Sequence, residues 1–178
     1  MRTLAGIMVN ITAVIATVGV IGAATVAAQT DDLESGGIGL SRDTWEDVYG
    51  NGEVLQSIVQ YESPEEGLPV YVGFVDDRVA HIEFRYSETQ RGGLLEDDAI
   101  DLVESALPAD ADLVEEYFLP ATPEGPVPLL AQRWESDDLG DVTVGGRDSI
   151  LVVYQQAAAP SGPGIVIPAV SLTLSTAP

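Results

Sequence analysis

From Thr3 to Thr30 the chain carries no charged residue, and from Asp31 onward it is crowded with carboxylates. The two parts suit different surroundings, so the boundary between them constrains the fold more than any motif does. The first part includes Leu4, Ile7, Met8, Val9, Ile11, Val14, Ile15, Val18, Val20 and Ile21. A helix across it is long enough to span a bilayer, which takes about 20 apolar residues. The run then turns small, through Gly22, Ala23, Ala24, Thr25, Val26, Ala27 and Ala28. Ala28, with Val26 two positions before it, fits a signal-peptidase site; an uncleaved signal-anchor is the alternative, because the apolar stretch exceeds the usual run of about 7 to 15 residues. Either way, residues 1–28 are expected to export the remainder of the chain, since Arg2 favours the cytoplasmic side and acidic flanks do not resist translocation. A buried core helix fits poorly, because the segment has no polar face to turn toward water.

The chain has seven basic residues, all arginine, against 29 acids, for a net charge of −22 over 178 residues. Binding to phosphate backbones or anionic headgroups is driven by Lys and Arg, so nucleic acid is excluded as a partner and membrane contact is expected only through the N-terminal segment. Self-repulsion at this charge loosens a fold unless salt screens it over about 8 to 10 Å. The lysine-free, acid-rich usage therefore has two readings, a saline habitat or genomic bias. There is no cysteine, which removes disulfides, thiolate nucleophiles, thiolate metal ligands and cysteine lipidation together.

Residues 29–39, with Asp31, Asp32 and Glu34 ahead of Gly36, Gly37 and Gly39, read as an acidic, glycine-rich linker. Residues 40–178 read as one extracytoplasmic domain. Ser41 caps a helix over 42–49, with Trp45, Val48 and Tyr49 on one face and Gly50 as the terminator. Strands are expected at 54–61, 70–75 and 78–86, the last two joined by the hairpin signal Asp76-Asp77. Along the third, Ala80, Ile82, Phe84 and Tyr86 form a buried face, while Val79, His81, Glu83 and Arg85 form a wet one. A second helix over 95–107 carries Ala99, Ile100, Val103, Ala106 and Leu107 as its apolar stripe and ends at Pro108. Further strands are expected at 113–119, 127–134, 149–156 and 165–174, with breaks at 120–126, 136–146 and 157–164. The pattern predicts an α+β class: two short helices packed on one face of antiparallel sheet, conceivably two helix-plus-sheet units, preceded by an N-terminal apolar helix.

Three stretches carry a resemblance. They are Gly39-Leu40-Ser41-Arg42-Asp43-Thr44-Trp45-Glu46-Asp47-Val48-Tyr49-Gly50, Val72-Gly73-Phe74-Val75-Asp76-Asp77-Arg78-Val79, and Leu107-Pro108-Ala109-Asp110. Across residues 39–156 the chain resembles the fold family of outer-membrane-assembly lipoproteins and secreted beta-lactamase inhibitor proteins, and more closely looks like exported bacterial domains built on that plan. The resemblance implies a non-catalytic layer of helices on a sheet whose open face meets a protein partner. The chain departs from the family in having Asn51-Gly52 where a proline usually comes after the first helix, a hairpin without its glycine, and no lipid-accepting cysteine after the leader.

No catalytic, metal or cofactor residues are assigned. His81 is the single histidine and no Gly-x-Ser-x-Gly elbow is present, which leaves a Ser-His-Asp triad without support. The adjacent acids Asp31-Asp32, Glu65-Glu66, Asp97-Asp98, Glu115-Glu116 and Asp137-Asp138 are the material a two-carboxylate hydrolase would use, but among 29 acids such pairs arise by chance and solvated charge is the default reading of each. Asp137, Asp138, Asp141 and Asp148 gather oxygens suited to Ca²⁺ without the spacing of an EF-hand. Trp45 and Trp134 stand in amphipathic segments and read as packing residues. The favoured interaction surface is the wet sheet face bearing Tyr71, His81, Glu83 and Arg85, extended by Gln56 and Gln60, because tyrosine and arginine are enriched where proteins meet. The expected function is a non-enzymatic extracytoplasmic binding or scaffolding domain, secreted or tethered by its leader, with a protein as partner. The alternatives are a small hydrolase working through paired carboxylates and a cation-dependent structural domain.

Overall fold

Ser41 caps the first helix as its position predicts. In the computed structural model, which describes residues 36–63, 69–86, 92–119, 129–143, 146–159 and 165–175, the Thr44 N–H donates to Ser41 Oγ at 3.2 Å and α1 runs Arg42–Tyr49. Gly50 ends it at φ 73, with its N–H donating to the Glu46 carbonyl at 2.8 Å. The expected leader, residues 1–28, lies outside the described residues, as does the linker up to Ser35.

One strand was expected over 54–61, and two occur: β1 (Glu53–Leu55) and β2 (Ile58–Glu62), with Leu55 paired directly to Ile58. Gln56 makes the turn at φ 58. Gln-Ser carries none of the usual hairpin signal, and period-two alternation cannot distinguish a long strand from two short ones folded back. Next come β3 (Pro69–Val75) and β4 (Arg78–Arg85), joined by Asp76 and Asp77 at φ 48 and 65. Positive φ at both central residues is the hairpin geometry that Asp tolerates. The strict alternation expected along β4 fails at Val79, which is fully buried. The register shifts between Gly73, opposite His81, and Phe74, opposite Val79, so Ala80 is the extra residue of a bulge and Val79 turns inward.

α2 (Glu96–Ala106) starts at Leu95 without a side-chain cap; Glu96, Asp97 and Asp98 in its first turn face the positive end of the helix dipole. Ala99, Val103 and Ala106 form its buried stripe. Then come β5 (Asp112–Leu119), β6 (Leu129–Glu135), α3 (Asp137–Val142), β7 (Ser149–Ala158) and β8 (Ile165–Ser175). The helix α3 falls where a turn-rich break was expected. Three aspartates and a glycine make it a poor helix by propensity, and its start is held from outside: Leu139 N–H donates to Ser136 Oγ at 3.1 Å, while Asp110 accepts from Ser136 Oγ at 2.6 Å and from the Asp138 N–H at 3.1 Å. Partial burial raises the Asp110 pKa, but these hydrogen bonds outweigh it and hold the carboxyl below its usual value. Leu139, fully buried, ties the helix to the core.

All eight strands join one antiparallel sheet in the order β1-β2-β3-β4-β8-β7-β6-β5. The expected α+β class is therefore corrected. Strand residues outnumber helical ones more than twofold, and the architecture is a predominantly β one, a single sheet carrying three helices among the described residues. The cause lies in the pairing of β4 with β8 over Ile82–Leu172 and Phe84–Val170, which fuses the meander after α1 with the meander after α2. Period-two patterning reveals strands and says nothing of which strands meet.

Cross-strand register defines the covered face. One row runs Val59, Val72, Ile82, Leu172, Val152; a second runs Tyr61, Val70, Phe84, Val170, Tyr154. Both rows are buried, in one cluster with Trp45 of α1, Ala99 and Val103 of α2, and Leu139 of α3. Trp45 stacks on Tyr49 at 4.1 Å between centroids and meets the edge of Tyr61 at 6.0 Å. Its role is packing, as expected, although its buried Nε1–H has no hydrogen-bond partner among the described residues, a cost of about 1 to 3 kcal/mol.

The Gly36–Gly39 stretch, expected as the end of the linker, is instead packed into the domain. Ile38 is fully buried, its N–H donates to the Ala106 carbonyl at 3.0 Å, and the Gly39 N–H donates to the Val79 carbonyl at 2.9 Å. The glycines allow close approach: a Cβ on Gly37 would lie 2.9 Å from the Ala106 carbonyl oxygen and 2.8 Å from Ile82 Cδ1. Gly37→Ala is accordingly expected to destabilise the protein by about 1 to 3 kcal/mol, seen as a lower denaturation midpoint. An unchanged midpoint would mean that this stretch is not packed. Asp110→Ala, which strips the support from α3, is expected to cost about 1 kcal/mol in the same measurement.

Candidate interaction surface

The sheet has a second face, on which no described element packs. Register again assigns its residues. Gln60, Tyr71, Glu83, Ser171, Val153, Ala131 and Tyr117 form one row, and Gly73, His81, Thr173, Leu151, Arg133 and Glu115 the next. Most are half-buried by their neighbours, as on a solvent-facing sheet. The central strand β8 presents Ala169, Ser171, Thr173 and Ser175, so a line of small side chains runs between larger ones on β3 and β4 and on β7 and β6.

All four residues singled out in the sequence sit on this face. Tyr71 is directly opposite Glu83. The Arg85 guanidinium lies 4.3 Å above the centre of the Tyr71 ring, and its Nε and one terminal nitrogen donate to the two Glu83 oxygens at 2.8 and 3.1 Å. A fork held on both carboxylate oxygens and laid over an aromatic ring limits the freedom of a side chain that usually loses much entropy on binding. The hydrogen bonds to Glu83 raise the Arg85 pKa further and keep it cationic. His81 is one strand position away, with Nδ1 2.8 Å from Thr173 Oγ1. Desolvation lowers its pKa, and the nearby Glu83 charge opposes this incompletely. Gln60 joins the face beside Tyr71, whereas Gln56 is taken up by the β1–β2 turn.

A second Arg–Glu group stands across the face. Arg133 on β6 pairs with Glu115 at 3.6 Å and with Glu135. Exposed pairs of this kind each contribute about 0.2 to 1 kcal/mol, so their value here is orientation more than stability. Between the two groups lie Leu151 and Val153 on β7. These apolar residues were legible in the sequence as strand residues, but their exposure was not.

The covered face holds a polar group that the sequence did not reveal. Gln132, nearly buried, accepts at Oε1 from Tyr154 Oη at 3.0 Å and from Trp134 Nε1 at 3.3 Å, and donates from Nε2 to Glu116 at 2.8 Å. A glutamine between Ala131 and Arg133 gives little warning of this; its partners come from three strands. Burial, with smaller contributions from Glu104 and Glu116, raises the Tyr154 pKa and keeps the phenol protonated as a donor.

The other candidate acids are scattered. Glu115 and Glu116 point to opposite faces of β5, as neighbours on a strand must. Asp97 and Asp98 are exposed in the first turn of α2, and Asp137 and Asp138 in that of α3. Asp31-Asp32 and Glu65-Glu66 lie outside the described residues. Among the described residues no group of three or more acids or histidines is placed to hold a metal ion, and the Asp137, Asp138, Asp141 and Asp148 stretch forms a helix and its exit.

The His81 shift has a pH consequence. A histidine whose folded pKa lies below its unfolded value of 6.5 supports the fold fully above that value and loses this support as pH falls through the folded pKa, because the unfolded chain binds the proton more tightly. Wild type is expected to lose stability below about pH 6.5 more steeply than His81→Gln. Parallel slopes in denaturant titrations at a series of pH values would show that His81 is not the group responsible. Compared with known proteins, the chain matches no family model, no curated protein and no solved structure.

Proposed function

We propose that residues 40–178 form a non-catalytic binding or scaffolding domain that works outside the cytoplasmic membrane and meets a protein partner through its open sheet face. The observation that carries this reading is the Arg85–Glu83–Tyr71 group, held in one geometry at the surface and set beside the half-exposed Leu151 and Val153. A guanidinium already fixed on its carboxylate and ring loses little further freedom when a partner arrives, and tyrosine and arginine are both enriched among the residues that anchor protein contacts. The net charge of −22 favours a partner with basic residues and speeds its approach. The export reading rests on the uncharged run from Thr3 to Thr30. The resemblance over residues 39–156 implies the same use of the face.

A photo-crosslinking amino acid tests this in intact cells. Placed at Tyr71 or Leu151, it is expected to give one discrete adduct; placed at Asp101, on the exposed side of α2, it gives none. The adduct from Leu151 is expected to fall about tenfold in the Arg85→Ala background, the size of loss that accompanies removal of an interface anchor. Equal adducts from both faces, or no adduct from the sheet face, would sink the proposal.

A further inference from the structure

The two ends of the sheet are finished differently. β1 is three residues long, and a strand so short offers little to pair with. β5, at the opposite end, is eight residues long, and among the described residues it pairs only with β6. Edge strands are normally protected by brevity, lysine or other charges, proline, or bulges. β5, Asp112-Leu113-Val114-Glu115-Glu116-Tyr117-Phe118-Leu119, is long and has neither lysine nor proline; its protection is a bulge between Leu113 and Glu115 and three carboxylates, which repel an acidic strand and attract a basic one. Phe118 is 57% exposed, Leu113 and Val114 46% each and Tyr117 39%, which places large apolar side chains in water on both faces of one edge.

From this geometry we infer that β5 is a docking edge for an extended, basic segment of a partner protein, which adds to the sheet as a ninth strand. Main-chain hydrogen bonding along the edge supplies affinity, and flanking side chains supply selectivity. A second copy of this chain is a poor occupant. Two copies of one edge pair antiparallel only with outward-pointing residues opposite one another, so the two registers of greatest overlap set either Glu115 or Glu116 against itself. Like charges directly opposite each other destabilise a ladder, and two chains of −22 repel at longer range. The same two carboxylates define the complementary segment. They point to opposite faces of β5, so a partner satisfies both by carrying two consecutive basic residues. Leu113 and Val114 on one side, and Tyr117 and Phe118 on the other, call for apolar residues before and after the basic pair. Arg133 and Gln132 already hold Glu115 and Glu116 by one side each, which fixes where those charges stand. The edge is a separate element from the open face, so its use as a docking strand does not depend on the proposed use of Tyr71 and Arg85.

The test uses the full-length chain in detergent and a capped peptide with two adjacent arginines flanked on each side by two valines. A peptide of equal charge, with one valine on each side replaced by proline, serves as control because it cannot form a ladder. The valine peptide is expected to bind at least about tenfold more tightly than the proline peptide, and to slow amide exchange within residues 112–119. The double variant Leu113→Ser, Phe118→Ser, altered only at exposed side chains, is expected to lose most of that difference. Equal binding of the two peptides would reduce the effect to net charge and overturn the inference. Slowed exchange centred on the acidic first turn of α2 would overturn it too, as would concentration-dependent protection of 112–119 without peptide, which would make a second copy the occupant.

Discussion

The pairing of β4 with β8 holds the molecule together. Each of these strands is the last of a four-strand meander that comes after a helix, and each would be an edge if its half stood alone. Bringing the two edges together puts these strands at the centre of one sheet, where Ile82, Phe84, Val170 and Leu172 are buried beneath the helices. The same pairing leaves β1 and β5, the first strands of each half, as the ends. The exposed edge on β5 thus results from how the centre is built.

Around that centre Trp45 of α1 supplies the largest buried side chain, and the other contacts are smaller. Ala99 and Ala106 let α2 lie close, Gly37 lets the entering chain pass between Ala106 and Ile82, and Leu139 anchors a helix that could not form unaided. With all three helices drawn to one side, the other face of the sheet carries only its own side chains. Acidic residues dominate the exterior, yet on that open face each of these two arginines is paired, Arg85 with Glu83 and Arg133 with Glu115 and Glu135. In a chain with seven bases in all, committing two of them to one face concentrates much of the available positive charge there.

The legibility of the surface differs from residue to residue. Tyr71, His81, Glu83 and Arg85 were readable because a strand flanked by a two-residue turn fixes which side chains share a face, and the Asp76-Asp77 hairpin aligns β3 against β4 locally. Leu151, Val153 and Arg133 were not assignable to the same face, since their place depends on the β4–β8 junction between residues far apart in the chain. Val79 misled because a bulge at Ala80 breaks the period of two, and neither Gly73 nor Ala80 announces it. The Gln132 hub was silent for a related reason: a lone amide in a strand gains meaning only when the Tyr154 hydroxyl and the Glu116 carboxylate arrive from neighbouring strands to join the Trp134 indole of its own.

The sequence by itself determined local structure. Helix α1 between Ser41 and Gly50, the stripe and end of α2, the turn at Asp76-Asp77 and the approximate extent of most strands all arise from capping, periodicity and turn chemistry, which act within a few residues. The tertiary structure alone decided that the strands form one sheet, that Gly36–Gly39 is packed, that α3 is a helix, and which strand is left bare at the edge. These depend on contacts between distant segments, whose free energy comes from shared burial and is written in no single stretch of the chain.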